Sequence, residues 1–385
     1  MSDDEADEEL LALLRKSLGI DLDTTPQPPK IGVLEDAEYI YDNSTDVALD
    51  MRGTKLAAAS IGKLIQEKGY GTTSWSKHEL HPKARDASTV NFIFLMDLLN
   101  FSFWPDDPTE PFTVSYSGKS WTGYWSLVAA IHRALDEGIP ITTPTYWTDQ
   151  TSCPDSTIHH IFRSATTTPI PLLDERITCM REAGSILHSH FSGTPTTLIQ
   201  RASSSAAGLV NLLTAHFPTF NDTHLFHSRP VRFHKRAQIL VADLWACFEG
   251  KSYGRFTDID QITMFADYRI PQILTSLNCL RLSPPLASQI QSLKPIASGH
   301  PFEVQLRGCS IWCVELIRRE MARTGGCGGE GGGVNAVLID FFLYDLVKEM
   351  EARESGVERE GEGAGKERMG EGGLLPHHRT RSIWY

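Results

Sequence analysis

Apolar residues recur every three or four positions along most of the chain, the spacing that places them on one side of a helix. The stretch KLAAASIGKLIQEKG carries Leu56, Ile61, Leu64 and Ile65 in that register and stops at Gly69. GYWSLVAAIHRALDEG runs to a stop at Gly138, with Pro140 just beyond. The same reading holds for LLDERITCMREAGSILHSHF, AAGLVNLLTAHF, RFHKRAQILVADLWACFEG, CSIWCVELIRREMAR and NAVLIDFFLYDLVKEM. Strand-like alternation is confined to FTVSYSG, which can pair with KSWTGY as a hairpin turning at Gly118. The pattern predicts a mostly α protein: a single globular helical domain with a minor β-hairpin element.

The pattern fails at both ends. Residues 1–34 are acidic and then proline-rich, with room for one short helix around EELLALLRKSLG, and read as a flexible extension. The helical domain spans 35–350 and carries a Gly-rich insertion at 323–333. Residues 351–375 form a Gly/Glu-rich flexible insertion, and 376–385 read as a C-terminal segment docking on the domain.

Composition narrows the classes of function. A formal net charge of -12 disfavours a surface that wraps duplex nucleic acid, since phosphate binding needs a concentrated basic field. No basic-then-apolar leader and no apolar run near ~20 residues is present, so a soluble protein is expected, cytoplasmic or else nuclear, with no membrane partner. The seven cysteines are scattered and mostly flanked by apolar residues, as in a reducing compartment. Only Cys309 and Cys313 have helical i,i+4 spacing, and without a His or Cys partner they read as packing rather than a metal site.

Charged residues inside apolar runs are the candidates for chemistry. In FTDIDQITMFADYRIPQIL, Asp258 or Asp260 can cap a short helix through Met264, and Pro271 suits the first turn of the next. Asp267 then falls in the joint, where incoming backbone N–H groups and the Arg269 side chain could hold a carboxylate ionised. Residue types allow either an ion pair stitching two helices or a functional acid, and taken alone they favour the ion pair. LIDFFLYDLV is apolar nearly all round yet carries Asp340 and Asp345, roughly 140° apart on a helix, with Tyr344 on the face of Asp340. Each buried carboxylate needs an arginine, a donor or a ligand. Lys235 and Arg236 open an apolar helix with Asp243 two turns on, either as a phosphate clamp or as an exposed basic first turn. WSKHELHPKA offers His78 and His81 beside Trp75, and NFIFLMDLLNFSFW places Asp97 and Asn100 among aromatic residues that read chiefly as core.

The blocks NFSFW, GYWSLVAAIHRALDEGIPITTPTYW, IPLLDERI, KRAQILVADLWACFEG, ITMFADYRIPQIL, EVQLRGCSIWCVELI and LIDFFLYD, in that order, resemble the queuosine salvage protein family. The resemblance runs from about residue 35 to 350 and resumes in HRTRSIWY. It implies a helical domain related in shape to helix-hairpin-helix DNA glycosylases. The implied activity is hydrolysis of the N-glycosidic bond of queuosine 5′-monophosphate, releasing queuine for reuse in tRNA modification. Matching motifs make Asp267 the catalytic carboxylate, Phe265 a residue lining the base and His78 a substrate contact, with Asp340, Tyr344 and Asp345 on a ligand-binding helix. Lys235, Arg236 and Arg269 are the candidates for the 5′-phosphate. No metal and no cofactor is implied, and the partner is a small-molecule substrate. The chain departs from the family where an aromatic residue is expected before KRAQ and His234 stands, and where Trp is common and Tyr344 stands. The competing reading is a non-catalytic binding protein for queuine or a related modified nucleoside. A true DNA glycosylase is disfavoured by the charge.

Overall fold

The helix that begins at Lys235 is buried on nearly every side, its four polar side chains included, and the architecture grows out of enclosing it. The computed structural model describes residues 29–325, 334–354 and 374–385. The N-terminal helix expected around EELLALLRKSLG and most of the two Gly-rich segments lie outside the described residues. Ten helices frame the site. These are α1 (Val33–Asp42), α2 (Met51–Glu67), α3 (Ala87–Leu98), α4 (Tyr124–Asp136), α5 (Leu173–His190), α6 (Ala206–His216), α7 (Lys235–Cys247), α8 (Arg269–Ser276), α9 (Pro301–Arg323) and α10 (Ala336–Glu354). Shorter helices and turns connect them, and the described residues form mostly helical structure, as the periodicity predicts.

Of the residues of α7, all but Trp245 are buried, and the helix packs on α3 and α6. The long α9 packs on α1 and α2, and α10 closes against α8 and α9. Two glycines set the closest approaches. A β-carbon at Gly308 would sit 2.6 Å from Ile40, and one at Gly53 would sit 2.0 Å from the carbonyl oxygen of Asn278. Strand content among the described residues is three antiparallel pairs. The expected hairpin joins Thr113–Tyr116 to Lys119–Thr122, a second joins Thr223–Phe226 to Arg229–Arg232, and Val47–Leu49 pairs with Leu280–Leu282. No described helix is long and apolar enough to cross a membrane.

Two local expectations are corrected. Leu56 is 61% exposed rather than on the buried stripe of α2, because the close approach at Gly53 turns Ala57, Ala58, Ile61 and Ile65 inward instead. Asp258 caps no helix of its own segment, where only a 3-10 turn forms at Ile259–Gln261. Its carboxylate accepts from the backbone of Ala206 at 2.5 Å and from Ser205 Oγ at 2.7 Å, capping α6 from across the fold.

Residues 374–385 lie along the domain. Trp104 Nε1 donates to the Thr380 carbonyl at 3.1 Å, Arg381 stacks 3.7 Å from the Trp104 ring, and Gln272 Nε2 donates to the Leu375 carbonyl at 2.6 Å. His377 stacks on Tyr268 with centroids 4.6 Å apart, which brings this segment against the residue next to Asp267.

Candidate active site

The chain from Ile262 to Tyr268 has no helix or strand to satisfy its backbone, so other helices must. The Thr263 N–H donates to Gln238 Oε1 of α7 at 2.8 Å, the Phe265 N–H to Asp340 Oδ1 of α10 at 3.0 Å, and the Ala266 carbonyl accepts from Arg307 Nε of α9 at 3.2 Å. Three helices therefore strap this loop at nearly every second residue. The strapping fixes the position of Asp267, the next residue along.

Asp267 is half-buried at the entry to α8. Its Oδ1 accepts from the backbone N–H groups of Arg269 at 2.7 Å and Ile270 at 3.1 Å, the cap the sequence anticipates. Among the described residues nothing donates to Oδ2. The result is a carboxylate whose orientation is set through one oxygen while the other stays available. The Arg269 side chain does not complete this cap. Its Nη1 donates to Glu351 Oε1 and, at 3.3 Å, to Gln272 Oε1.

Asp340 lies behind the loop, 5% exposed. Burial, and then the nearby charge of Asp267, push its carboxyl well above the usual carboxylate range, with Asp243 adding to the shift while the Phe265 N–H and Lys235 oppose it. The protonated form, which can donate as well as accept, is thereby favoured. No arginine pairs with it among the described residues. Asp345 lies on the more exposed side of α10, as the 140° separation requires, and accepts from the Tyr70 hydroxyl at 2.6 Å. Tyr344 is half-buried, and the buried ring of Phe265 packs against Phe341 at 6.1 Å. Phe341 was not among the sequence candidates, although its place directly after Asp340 puts it beside the strapped loop.

The expectation of an exposed basic first turn on α7 is overturned: Lys235 is 5% and Arg236 2% exposed. The physical reason differs for each. Arg236 donates to the carbonyls of Leu98 and Thr219 and to Thr219 Oγ1, and stacks over Phe101 and Phe220. Its fork closes helix and turn ends in the core, where the side chain is buried. Lys235 is different, because nothing among the described residues accepts from its Nζ. Burial lowers its pKa to about 8, and Asp267 is the largest opposing influence. It sits as the near counter-charge of the candidate acid.

Sequence reasoning missed the partner beneath this arrangement. Arg307, 0% exposed, donates to Asp222 through both terminal nitrogens (3.0 Å to Oδ1) and to Glu303 at 3.4 Å, and stacks 4.0 Å from Phe233. Burial would raise the carboxyl of Asp222, but Arg307 and His224 outweigh it and hold Asp222 far below the usual range. Asp222 Oδ2 in turn accepts from the Lys235 backbone N–H at 3.4 Å. Arg307 thus braces both the start of α7 and the carbonyl preceding Asp267.

His78 is stacked on Trp125 with centroids 3.3 Å apart. Next to it, His81 stacks on Trp75 at 3.7 Å, and burial depresses its pKa to about 3, so it is a neutral ring here. Trp75 Nε1 donates to Asp243 Oδ1 at 3.0 Å. Asp243 faces the fully buried Asp97, whose carboxyl is pushed up by burial and by Asp243, with Asn100 opposing. Two apposed carboxyls cannot both ionise, and burial pushes Asp243 up to about 7. Tyr124, whose hydroxyl lies 3.1 Å from His81 Nε2, is influenced by Asp243, Asp97 and Tyr344, so the aromatic wall and the acidic wall meet there. The arrangement provides one free carboxylate oxygen, a carboxyl of raised pKa on the adjacent helix, a buried lysine and a wall of aromatic rings. That set can stabilise a cation and hold a flat polar ring.

Residues 80–385 match the family model described as queuosine salvage protein. A Schizosaccharomyces pombe protein named queuosine 5′-phosphate N-glycosylase/hydrolase is 47% identical over 328 residues, covering 83% of this chain and 92% of its own length. Proteins of the same name from Nematostella vectensis and Mus musculus are each 39% identical, covering 91% and 93% of this chain and 97% and 99% of their own lengths.

Proposed function

The chain belongs to the queuosine salvage protein family, and from that membership we propose that Asp267 carries out its chemistry: hydrolysis of the N-glycosidic bond of queuosine 5′-phosphate, releasing queuine and ribose 5-phosphate. The observation that carries the assignment is the carboxylate of Asp267, fixed by two N–H groups through Oδ1 and unengaged at Oδ2.

Breaking a ribosyl C–N bond passes through an oxocarbenium-like state, so the site must supply negative charge at the anomeric carbon. Asp267 supplies it from a position that needs no reorganisation, either as an electrostatic stabiliser or as a nucleophile. The leaving base must also accept a proton or a hydrogen bond as its bond to the sugar breaks. A 7-deaza ring has no N7 to take that proton, so other polar positions on the ring must be used. Asp340, whose protonated form burial favours, lies against the Phe265 loop and is the group proposed to give that hydrogen bond. Asp345 at the rim complements a cationic amine or a diol on the base's side chain. Lys235 supplies the buried positive charge that faces the carboxylate of Asp267. His78, on its stack with Trp125, forms the opposite wall for the flat base.

Incubating the purified protein with queuosine 5′-phosphate and resolving the mixture by mass spectrometry tests this reading. Equimolar queuine and ribose 5-phosphate are expected. Intact nucleotide after long incubation would leave only binding without catalysis.

A further inference from the structure

The two residues that flank Asp267 are both held by one short stretch of chain that the proposed chemistry leaves unused. Ala266 gives its carbonyl to Arg307 Nε at 3.2 Å, and the Arg307 guanidinium packs against two rings, that of Phe233 at 4.0 Å and that of Tyr385 at 4.9 Å. Tyr268, on the other side of Asp267, lies against the ring of His377 with centroids 4.6 Å apart. His377 and Tyr385 belong to the same segment. Each reaches Asp267 through a neighbour, one through Tyr268 and the other through Arg307 and the Ala266 carbonyl.

This segment is tied down at points away from the site. Ser102 Oγ donates to the Ser382 carbonyl at 2.7 Å and accepts from the Ser382 N–H at 3.2 Å, while the Ser102 N–H donates to the Tyr385 carbonyl. Ser102 is buried and holds a φ of 49°, a left-handed conformation that a residue with a side chain keeps only where its surroundings enforce it. Here three hydrogen bonds to one segment do so. The Ile296 N–H donates to the Arg379 carbonyl at 2.8 Å, and the Tyr385 hydroxyl lies 3.1 Å from His378 Nε2, so the Tyr385 ring, 1% exposed, is fixed at both ends. Tyr268 is also the residue at which α8 starts. The ring of His377 therefore sets where the N–H groups that hold Asp267 Oδ1 are aimed.

Building on the nucleotide-hydrolase reading, we propose that residues 377–385 clamp the loop on both sides of Asp267 and so aim its free oxygen, with His377 and Tyr385 as positioning residues for the reaction. A misplacement of about 1 Å in a reacting group costs about a hundredfold in rate, so release of either grip should be visible in turnover.

Steady-state release of queuine from queuosine 5′-phosphate tests the proposal on the full-length protein and on His377→Ala, His377→Phe and Tyr385→Leu, each alone and combined with Asp267→Asn, with melting curves to confirm folding. His377→Ala and Tyr385→Leu should each lower kcat by about tenfold to a hundredfold and leave KM within about threefold. His377→Phe keeps a ring on Tyr268 and should restore kcat to within about threefold of the native value. In the Asp267→Asn background neither His377→Ala nor Tyr385→Leu should lower the residual rate further, because no charge is left to aim; a general loosening of the fold would lower both. If the buried Tyr385→Leu variant does not fold, the half-buried His377 carries the same test. A native kcat in His377→Ala, a rise in KM alone, or an equal fall in the Asp267→Asn background would each overturn the clamp. Failure of the hydrolase reading would show separately, as absence of queuine with the unaltered protein.

Discussion

Arg307→Met tests whether the site rests on its buried brace. The methionine keeps much of the length of the side chain and its contact with Phe233, but removes the guanidinium that touches Asp222, Glu303 and the Ala266 carbonyl. Asp222 and Glu303 are 2% and 0% exposed, so two carboxylates are left in the interior with the cation gone. Removing one partner of a buried pair costs about 3–5 kcal/mol, a large part of the roughly 5–15 kcal/mol that holds a domain folded. Asp222 sets the sign with pH. Its carboxyl in the native protein lies far below its unfolded value, so it contributes stability that is present above the unfolded pKa and is lost as pH falls towards the native one. Without Arg307 that contribution disappears and burial is left to push the Asp222 carboxyl up, so the variant is penalised most near pH 7 and takes up a proton on acidification, which narrows the gap towards pH 4. Urea denaturation at both pH values measures it. A loss below about 1 kcal/mol at pH 7, or a gap that does not narrow with acid, would refute the claim that Arg307 is held there by charge.

The Asp97 and Asp243 carboxyls share a buried space, and Asp243 titrates near 7, so between about pH 4 and 7 the folded protein keeps a proton that the unfolded chain releases. Stability should therefore fall by on the order of a few kcal/mol as pH rises through that window, and the Asp97→Asn/Asp243→Asn double variant should flatten the dependence in urea titrations; an unchanged slope would rule the pair out. Lys235, with a pKa of about 8, should impose an alkaline limb on turnover as its ammonium is lost, absent in Lys235→Met, whose rate should be low and flat from pH 7 to 9. A variant that kept the limb would assign it to another group.

Much of the fold was legible because helices announce themselves locally. The apolar periodicity, the stops at Gly69, Gly138 and Gly250, and the turn at Gly118 each act within a few residues of their cause. The position of Asp267 was legible for the same reason: a helix start marked by Pro271 leaves the preceding acid at its N-terminus. The role was less so, since residue types alone favoured an ion pair with Arg269, and the structure sends that arginine to Glu351, 82 residues away. Arg307 and Asp222 lie 85 residues apart, and nothing near either marks the other as a partner. Asp258, whose helix turned out to be α6, and Leu56, turned outward by the contact at Gly53, failed likewise because the deciding neighbour is distant in sequence. Lys235 and Arg236 looked like surface charge for want of the carbonyls and carboxylates that surround them.

The free oxygen of Asp267, as the group that stabilises a ribosyl cation, is the centre of this account. Asn in its place keeps an oxygen to accept from the Arg269 and Ile270 N–H groups, so the helix cap survives at a cost below about 1 kcal/mol. The negative charge is lost; at about 4 Å and an effective dielectric of about 20 it is worth about 4 kcal/mol, or roughly a thousandfold in rate. The decisive measurement is the number of queuine molecules released per protein chain over time from queuosine 5′-phosphate, for the native protein and Asp267→Asn in parallel, with melting curves for both. Many turnovers by the native protein, a rate at least about a thousandfold lower in the variant and coincident melting are expected. A variant rate within tenfold of the native one would contradict the account and return Asp267 to the role of a helix cap.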